Sequence, residues 1–191
     1  MSVTLISYSC RQQEGNCVRI LDYAQKILLE WGIESKLLKV SDLTIFPCSG
    51  CNYECFQKES VCPIHDDIPK YYNEIISRPY AIHCVPVYSS APPAKYFSIR
   101  ERGQAVFSSD QFLKKFEVVK HLFIVIGNKN AGADAAIRII QEGIDSVTIK
   151  DFLLLQSHEY NQRSIAGTLI DVPDVQNRIE EFLQLIPREG K

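Results

Sequence analysis

Cys48, Cys51, Cys55 and Cys62 follow Pro47 in the pattern C-x2-C-x3-C-x6-C, all within 15 residues. Four thiolates complete either a [4Fe–4S] cluster or a tetrahedral zinc site. Structural zinc usually draws on two C-x2-C pairs well separated in sequence, so that two knuckles face each other. A single compact loop that wraps its metal alone is the habit of cubane clusters. The spacing therefore points first to an iron–sulfur loop at about 47–63, with zinc or unmetallated thiols as alternatives. His65 is near enough to replace a ligand, although a solvated or helix-capping histidine is the simpler reading.

The remaining cysteines have plainer roles. Cys84 sits in an apolar run and suits a small core hydrophobe. Cys10 is a loop residue. Cys17 falls in the first turn of a helix, where the dipole favours a thiolate, but a bound anion would cover it. His83, His121 and His158 have no partner visible in sequence and are expected to be structural.

The totals limit the setting in which these groups work. The chain has 191 residues, 46% apolar and 23% charged, a formal net charge of -2, and seven cysteines. A core of this size needs no disulfide staples, and an odd cysteine count leaves one thiol unpaired. A reducing, cytoplasmic location is expected. The basic residues are scattered, which argues against nucleic acid or an anionic membrane as partner. No apolar run approaches the roughly 20 residues that span a bilayer. The opening MSVTLISYSC lacks a basic n-region and suits a strand better than a signal peptide.

Short β-rich runs alternate with helical periodicity along the chain. Strands are expected at 3–7, 34–40, 80–88, 121–126 and 149–155. Helices are expected at 16–31 (ended by Gly32), from Asp66, Asp67 and Ile68 through Ile76, at 93–102, at 133–142 (ended by Gly143), and from Pro173. The connection at 103–120 is too long for a plain loop and hides a helix or a mobile segment. Alternating strands and helices make a parallel sheet covered on both faces. Right-handed crossovers then favour a flavodoxin-like three-layer α/β sandwich with five strands in the order 2-1-3-4-5. Residues 1–191 are expected to form one domain, with ligands beyond the carboxyl ends of the strands.

Three loops reach that edge. After strand one, Ser9-Cys10-Arg11 leads through residues 12–14 to Gly15-Asn16-Cys17 and a helix. Free N–H groups, the helix dipole, Arg11 and the Ser9 hydroxyl would suit a phosphate. An ordinary βα loop with Asn16 as N-cap is the alternative. Neither GxGxxG nor GxxxxGK[ST] occurs, which counts against a dinucleotide fold or an NTPase. After strand three, Pro86-Val87-Tyr88-Ser89-Ser90-Ala91 offers a stiff turn, two hydroxyls and an aromatic wall for a planar heterocycle. After strand four, Gly127 and Asn128 lead to Gly132. Each loop alone could be an ordinary turn.

Together these residues resemble a known family. Ser9-x-Arg11 with Gly15-Asn16 is similar to the phosphate loop of NADPH-dependent FMN reductases and the related iron–sulfur flavoproteins. Pro86-Val87-Tyr88, then Pro93-Ala94-(x)6-Glu101-Arg102, is similar to their second signature, and residues 127–132 stand where their third flavin loop stands. The resemblance runs from Val3 to about Gly143 and includes a cysteine-rich loop after strand two. Family members usually have Ser or Thr at Cys17, an aromatic and a glycine where Ser89 and Ser90 stand, doubled glycines in the third loop, and x2 between the second and third cysteines.

The resemblance implies FMN on the three loops and a [4Fe–4S] cluster on Cys48, Cys51, Cys55 and Cys62. It implies electron transfer between a reduced donor, NAD(P)H or ferredoxin, and an acceptor, within a homodimer or homotetramer. No acid–base side chain need be essential, so no catalytic residue is assigned. The alternatives are an NAD(P)H-dependent FMN or quinone reductase whose cysteines bind zinc or nothing, and a non-enzymatic electron carrier.

Overall fold

The computed structural model describes residues 1–11, 15–56, 62–128, 130–144 and 146–188. Parts of three expected loops, 12–14, 57–61 and 129, lie outside the described residues. Five strands, β1 (Ser2–Ser7), β2 (Glu34–Lys39), β3 (Tyr80–Pro86), β4 (Lys120–Gly127) and β5 (Phe152–Gln156), pair in parallel in the order β2-β1-β3-β4-β5. The helices are α1 (Asn16–Glu30), α2 (Ile68–Ile76), α3 (Ala94–Arg102), α4 (Gln104–Phe107), α5 (Asp110–Glu117), α6 (Asn130–Gln141) and α7 (Pro173–Leu183). The fold is the flavodoxin-like one that the alternation of elements requires.

Strand side chains alternate between two apolar layers. Val3, Leu5, Ile82, Leu122 and Ile124 pack with α1 and α7, while Ile6, Tyr8, Val85, Phe123 and Val125 pack with α2, α3 and α6. Burial on both faces explains the near-continuous apolar run of β4. Gly32, with φ +74°, ends α1: its N–H bonds Leu29 O at 2.9 Å, and the Ile33 N–H reaches Leu28 O at 2.8 Å. That is a Schellman end, and glycine supplies the left-handed residue it needs.

Several boundaries differ from expectation, α6 beginning at Asn130 instead of 133 among them. β3 stops at Pro86: Val87 N–H makes a last bond to β4, at Ile126 O (2.9 Å), and the chain then turns back as Tyr88 bridges to Ala91. Residues Ile149–Asp151 form a 3-10 turn with a Thr148/Asp151 capping box, so β5 begins at Phe152. The 103–120 connection does hide helices, α4 and α5, the latter capped by Ser109. Their aromatics Phe107, Phe112 and Phe116 surround Tyr72 of α2 edge-on, which fixes the connection to the sheet layer.

A buried polar chain crosses the second layer. Tyr71 and Tyr8 share a short hydroxyl–hydroxyl hydrogen bond, Tyr8 Oη is 3.1 Å from His83 Nδ1, and His83 Nε2 is 3.0 Å from His121 Nδ1. The two histidines are each other's partner. No helix among the described residues is long and apolar enough to cross a membrane.

Candidate functional site

β1, β3 and β4 end at one edge of the sheet, and the loops after them close around a single cleft. Ser9, Arg11, Gly15, Asn16 and Cys17 line it from the first loop, Pro86, Val87 and Tyr88 from the second, and Gly127 and Asn128 from the third. The α1 end suits an anion. Gly15, extended in backbone, is the N-cap residue, and no side chain caps the helix. Gly15 offers the first N–H groups no capping side chain, so among the described residues the positive end of the helix dipole is open to an anion at the cleft.

Asn16 is not the cap. Its amide donates to Ser164 O at 3.0 Å and its carbonyl accepts from Leu169 N–H at 3.1 Å, so the side chain fastens α1 to residues 164–169. Arg11 is drawn to the same segment, donating from Nη1 to Ile165 O at 2.9 Å. Ser164 and Ile165 accordingly line the cleft, beside Ile126. Sequence reasoning left 157–167 unassigned, since its polar, irregular composition carries no period. A phosphate at α1 would compete with the Ile165 carbonyl for Arg11.

The second loop is a tight hairpin turn. Tyr88 and Ala91 exchange both backbone hydrogen bonds, at 2.8 and 3.0 Å, and leave Ser89 and Ser90 at the tip with φ +48° and +66°. Such a turn favours Asn and Gly, and each left-handed serine costs about 1–2 kcal/mol. Gly132, with φ +112°, rests on this tip: a Cβ there would stand 2.5 Å from Ser90 Oγ and 2.9 Å from Ser90 Cα. The backbone of the third loop can approach the second only without a side chain. Ser89, Ser90, Ala91 and Gly132 are thus brought together next to Tyr88, but they are not among the residues that line the cleft. Tyr88 remains half-exposed; partial burial raises its hydroxyl pKa, with Cys17 and Cys10 adding, and a hydrogen bond with Ser9 opposes. Cys17 itself is buried and shares a hydrogen bond with Cys84, whose thiol burial pushes well up in pKa.

The cysteine loop lies against α3. Cys48, Cys51 and Cys55 line an open groove with Phe97, Arg100 and Glu101, whereas Cys62 belongs to a neighbouring pocket with His65, Asp66 and Arg102. Among the described residues, no three His, Cys, Asp or Glu side chains stand close enough to share a metal ion. Four thiols on one loop are the right donors for a soft metal, but the loop as it stands has not gathered them. The Cys51 thiol instead hydrogen-bonds Glu54, which raises Cys51 and lowers Glu54 in pKa. Glu54 Oε2 is buried without a hydrogen-bond partner among the described residues.

Arg102 fastens both ends of that loop. Nη1 donates to Phe46 O at 3.1 Å, Nη2 to Ile64 O at 3.1 Å, and the pair grips Asp66 at 2.8 and 3.1 Å. Asp66 in turn accepts from Phe46 N–H at 3.0 Å and Ile68 N–H at 3.1 Å, starting α2. The sequence marked Arg102 as the end of a signature but gave no sign that it closes a loop. The nearest signal was an arginine in the last turn of a helix, with an aspartate at the start of another.

Comparison with known proteins bears on the family and the fold. The family model described as NADPH-dependent FMN reductase matches residues 1–159. The chain is 27% identical over 142 residues to an iron-sulfur flavoprotein of Methanosarcina thermophila, covering 74% of this chain and 72% of that one. It is 29% identical over 140 residues to an iron-sulfur flavoprotein of Methanocaldococcus jannaschii, covering 73% and 69%. Among solved structures, RosB with bound 8-demethyl-8-formylriboflavin-5'-phosphate superposes with a TM-score of 0.65 at 13% identity, over 98% of this chain and 81% of RosB. That likeness concerns the fold. With its order 2-1-3-4-5 sheet and a family match over most of its length, the chain belongs to the NADPH-dependent FMN reductase family and is a flavin-dependent oxidoreductase.

Proposed function

We propose that the cleft holds FMN and that the cysteine loop closes on a [4Fe–4S] cluster, so that the protein passes electrons from NAD(P)H or reduced ferredoxin to an acceptor. One observation carries the reading: α3 begins at the Tyr88–Ala91 turn and ends at Arg102, which fastens the cysteine loop. A single helix, about 13 Å long, therefore ties the expected flavin turn to the expected metal loop. Flavin supplies hydride or single-electron transfer, and a cluster supplies single electrons only. The chain's own task is placement. The uncapped α1 N-terminus, Ser9 and Arg11 bind the phosphate, the Ser89–Ser90 tip and Tyr88 bound the ring, and Cys48, Cys51, Cys55 and Cys62 are the metal ligands. The whole chain acts as one domain within a homodimer or homotetramer.

A second reading has its own support, because the described residues assemble no metal site. In it the protein is an NAD(P)H-dependent FMN or quinone reductase whose thiols stay free, as the Cys51–Glu54 hydrogen bond favours, zinc in the loop being the variant of this reading that metal content would reveal. Anaerobic stopped-flow mixing identifies the donor. Flavin bleaching by NADPH or NADH is the expected result; bleaching by reduced ferredoxin alone would make the protein an acceptor of single electrons and remove NAD(P)H from the account.

A further inference from the structure

A second cavity, of about 260 Å³, lies between the sheet and α2, α3 and the α4–α5 connection. It shares no lining residue with the cleft at the strand ends. Protein interiors rarely leave voids larger than a water molecule, and a dry cavity of about 150 Å³ suffices for benzene. Phe107, Phe116 and Phe123 give it aromatic walls, and Tyr8, Tyr71, His83 and Tyr96 give it a polar side. Of its lining residues Arg100, Gln104 and Gly143 are exposed and form its rim, and Arg100 and Gln104 also line the groove of the cysteine loop.

The polar side has a particular chemistry. Tyr71, Tyr8, His83 and His121 form one hydrogen-bonded chain, and His121 Nε2, at the far end, makes no well-formed hydrogen bond among the described residues, with the Phe116 backbone beside the ring. Each neutral imidazole carries one donor and one acceptor, so a tautomer change in both reverses the whole chain. The tyrosine end can therefore either donate a hydrogen bond to an occupant or accept one. Burial pushes His83 well below its ordinary pKa and His121 to about 4, and it raises both tyrosines, so the chain stays uncharged near neutrality. The nearby cation is already engaged: Arg100 donates to Ile139 O at 3.1 Å and Glu142 O at 3.2 Å at the end of α6. Nothing here answers a carboxylate.

We infer that this cavity is a binding site for a small neutral monocyclic phenol, its ring among Phe107, Phe116 and Phe123 and its hydroxyl on the Tyr8–Tyr71 end of the chain. The occupant sits on the α3 side next to the cysteine loop, away from the Ser89–Ser90 turn.

The test is a calorimetric titration of the flavin-loaded protein with 4-methylphenol, toluene and 4-methylbenzoate. 4-Methylphenol should bind, with the other two roughly tenfold weaker or more, the worth of one satisfied hydrogen bond. Gln104→Trp, a bulky change at the exposed rim, should abolish binding while flavin content is kept. Tyr8→Phe should bring 4-methylphenol toward the affinity of toluene. Absence of 4-methylphenol binding, or equal binding by Gln104→Trp, would overturn the inference. So would a long-wavelength charge-transfer band on adding 4-methylphenol, since it would place the ring against the flavin.

Discussion

Arg102 and Asp66 form an ion pair withdrawn from solvent, with side-chain exposures of 2% and 0% and an Nη1–Oδ2 distance of 2.8 Å. Burial alone would raise the Asp66 carboxyl, but the Arg102 hydrogen bond and the Phe46 and Ile68 amides hold it below its ordinary value. Cutting one partner out of such a pair strands the other charge, at about 3–5 kcal/mol. Arg102→Gln should lose stability of that order in urea denaturation, and limited proteolysis should then cut first between Phe46 and Ile64. A variant with wild-type midpoint and cleavage pattern would show that Arg102 does not secure the loop.

Gly132 and Ser90 make the second prediction. Gly132→Ala drives a methyl group into Ser90 from a backbone that already disfavours any side chain. The strained turn has to shift, at about 1–3 kcal/mol, and the flavin wall moves with it. Fluorescence titration should show FMN affinity down by roughly tenfold to a hundredfold. Ser90→Gly, which relieves the left-handed strain, should stabilise the protein by about 0.5–1 kcal/mol. Stability unchanged in both variants would mean that the turn carries no strain.

Arg11 has a partner to exchange. Arg11→Ala should weaken FMN binding by about 1.5–3 kcal/mol, as the loss of a charge-assisted hydrogen bond does. In the wild type, binding FMN should increase hydrogen exchange around residues 164–167, because Arg11 leaves the Ile165 carbonyl. Unchanged affinity in Arg11→Ala would place the phosphate elsewhere.

The buried histidines predict a pH dependence. A histidine held neutral in the folded protein is protonated more readily in the unfolded chain, so the unfolded state takes up more protons below about pH 6.5. Stability is then full above pH 6.5 and falls toward pH 4, the value to which burial pushes His121, by up to about 3 kcal/mol. His83 shifts in the same direction and adds to the slope. Urea midpoints for His121→Gln between pH 7 and pH 4.5 should show a shallower fall than the wild type. An equal slope would assign the acid sensitivity to carboxylates, of which Glu74 and Asp151 are also held low.

Sheet order and strand positions were legible because a strand buried on both faces leaves an apolar run that few other structures leave. Cys17, Tyr88 and Gly127 could be placed at one edge by topology alone. Local hydrogen bonding was not legible in the same way. Asn16 looks like an N-cap in sequence, but a partner 148 residues away claims its amide. The left-handed tip at Ser89 and Ser90 defies turn preference and is held by tertiary contact with Gly132. The α4–α5 connection carries its helix signal in Ser109 and Asp110, masked by the Gly103 and Ser108 that precede them. Arg102 reaches Phe46 and Ile64 across more than 35 residues of chain, and no local pattern records that.

Whether one flavin cleft works with one metal loop is decided by the flavin and metal content of protein purified without air. About one FMN and about four iron and four sulfide per chain are expected, with Cys51→Ser keeping FMN and losing iron. FMN accompanied by stoichiometric zinc, or by no metal, would contradict the cluster and leave the chain a flavin reductase with a thiol-rich loop.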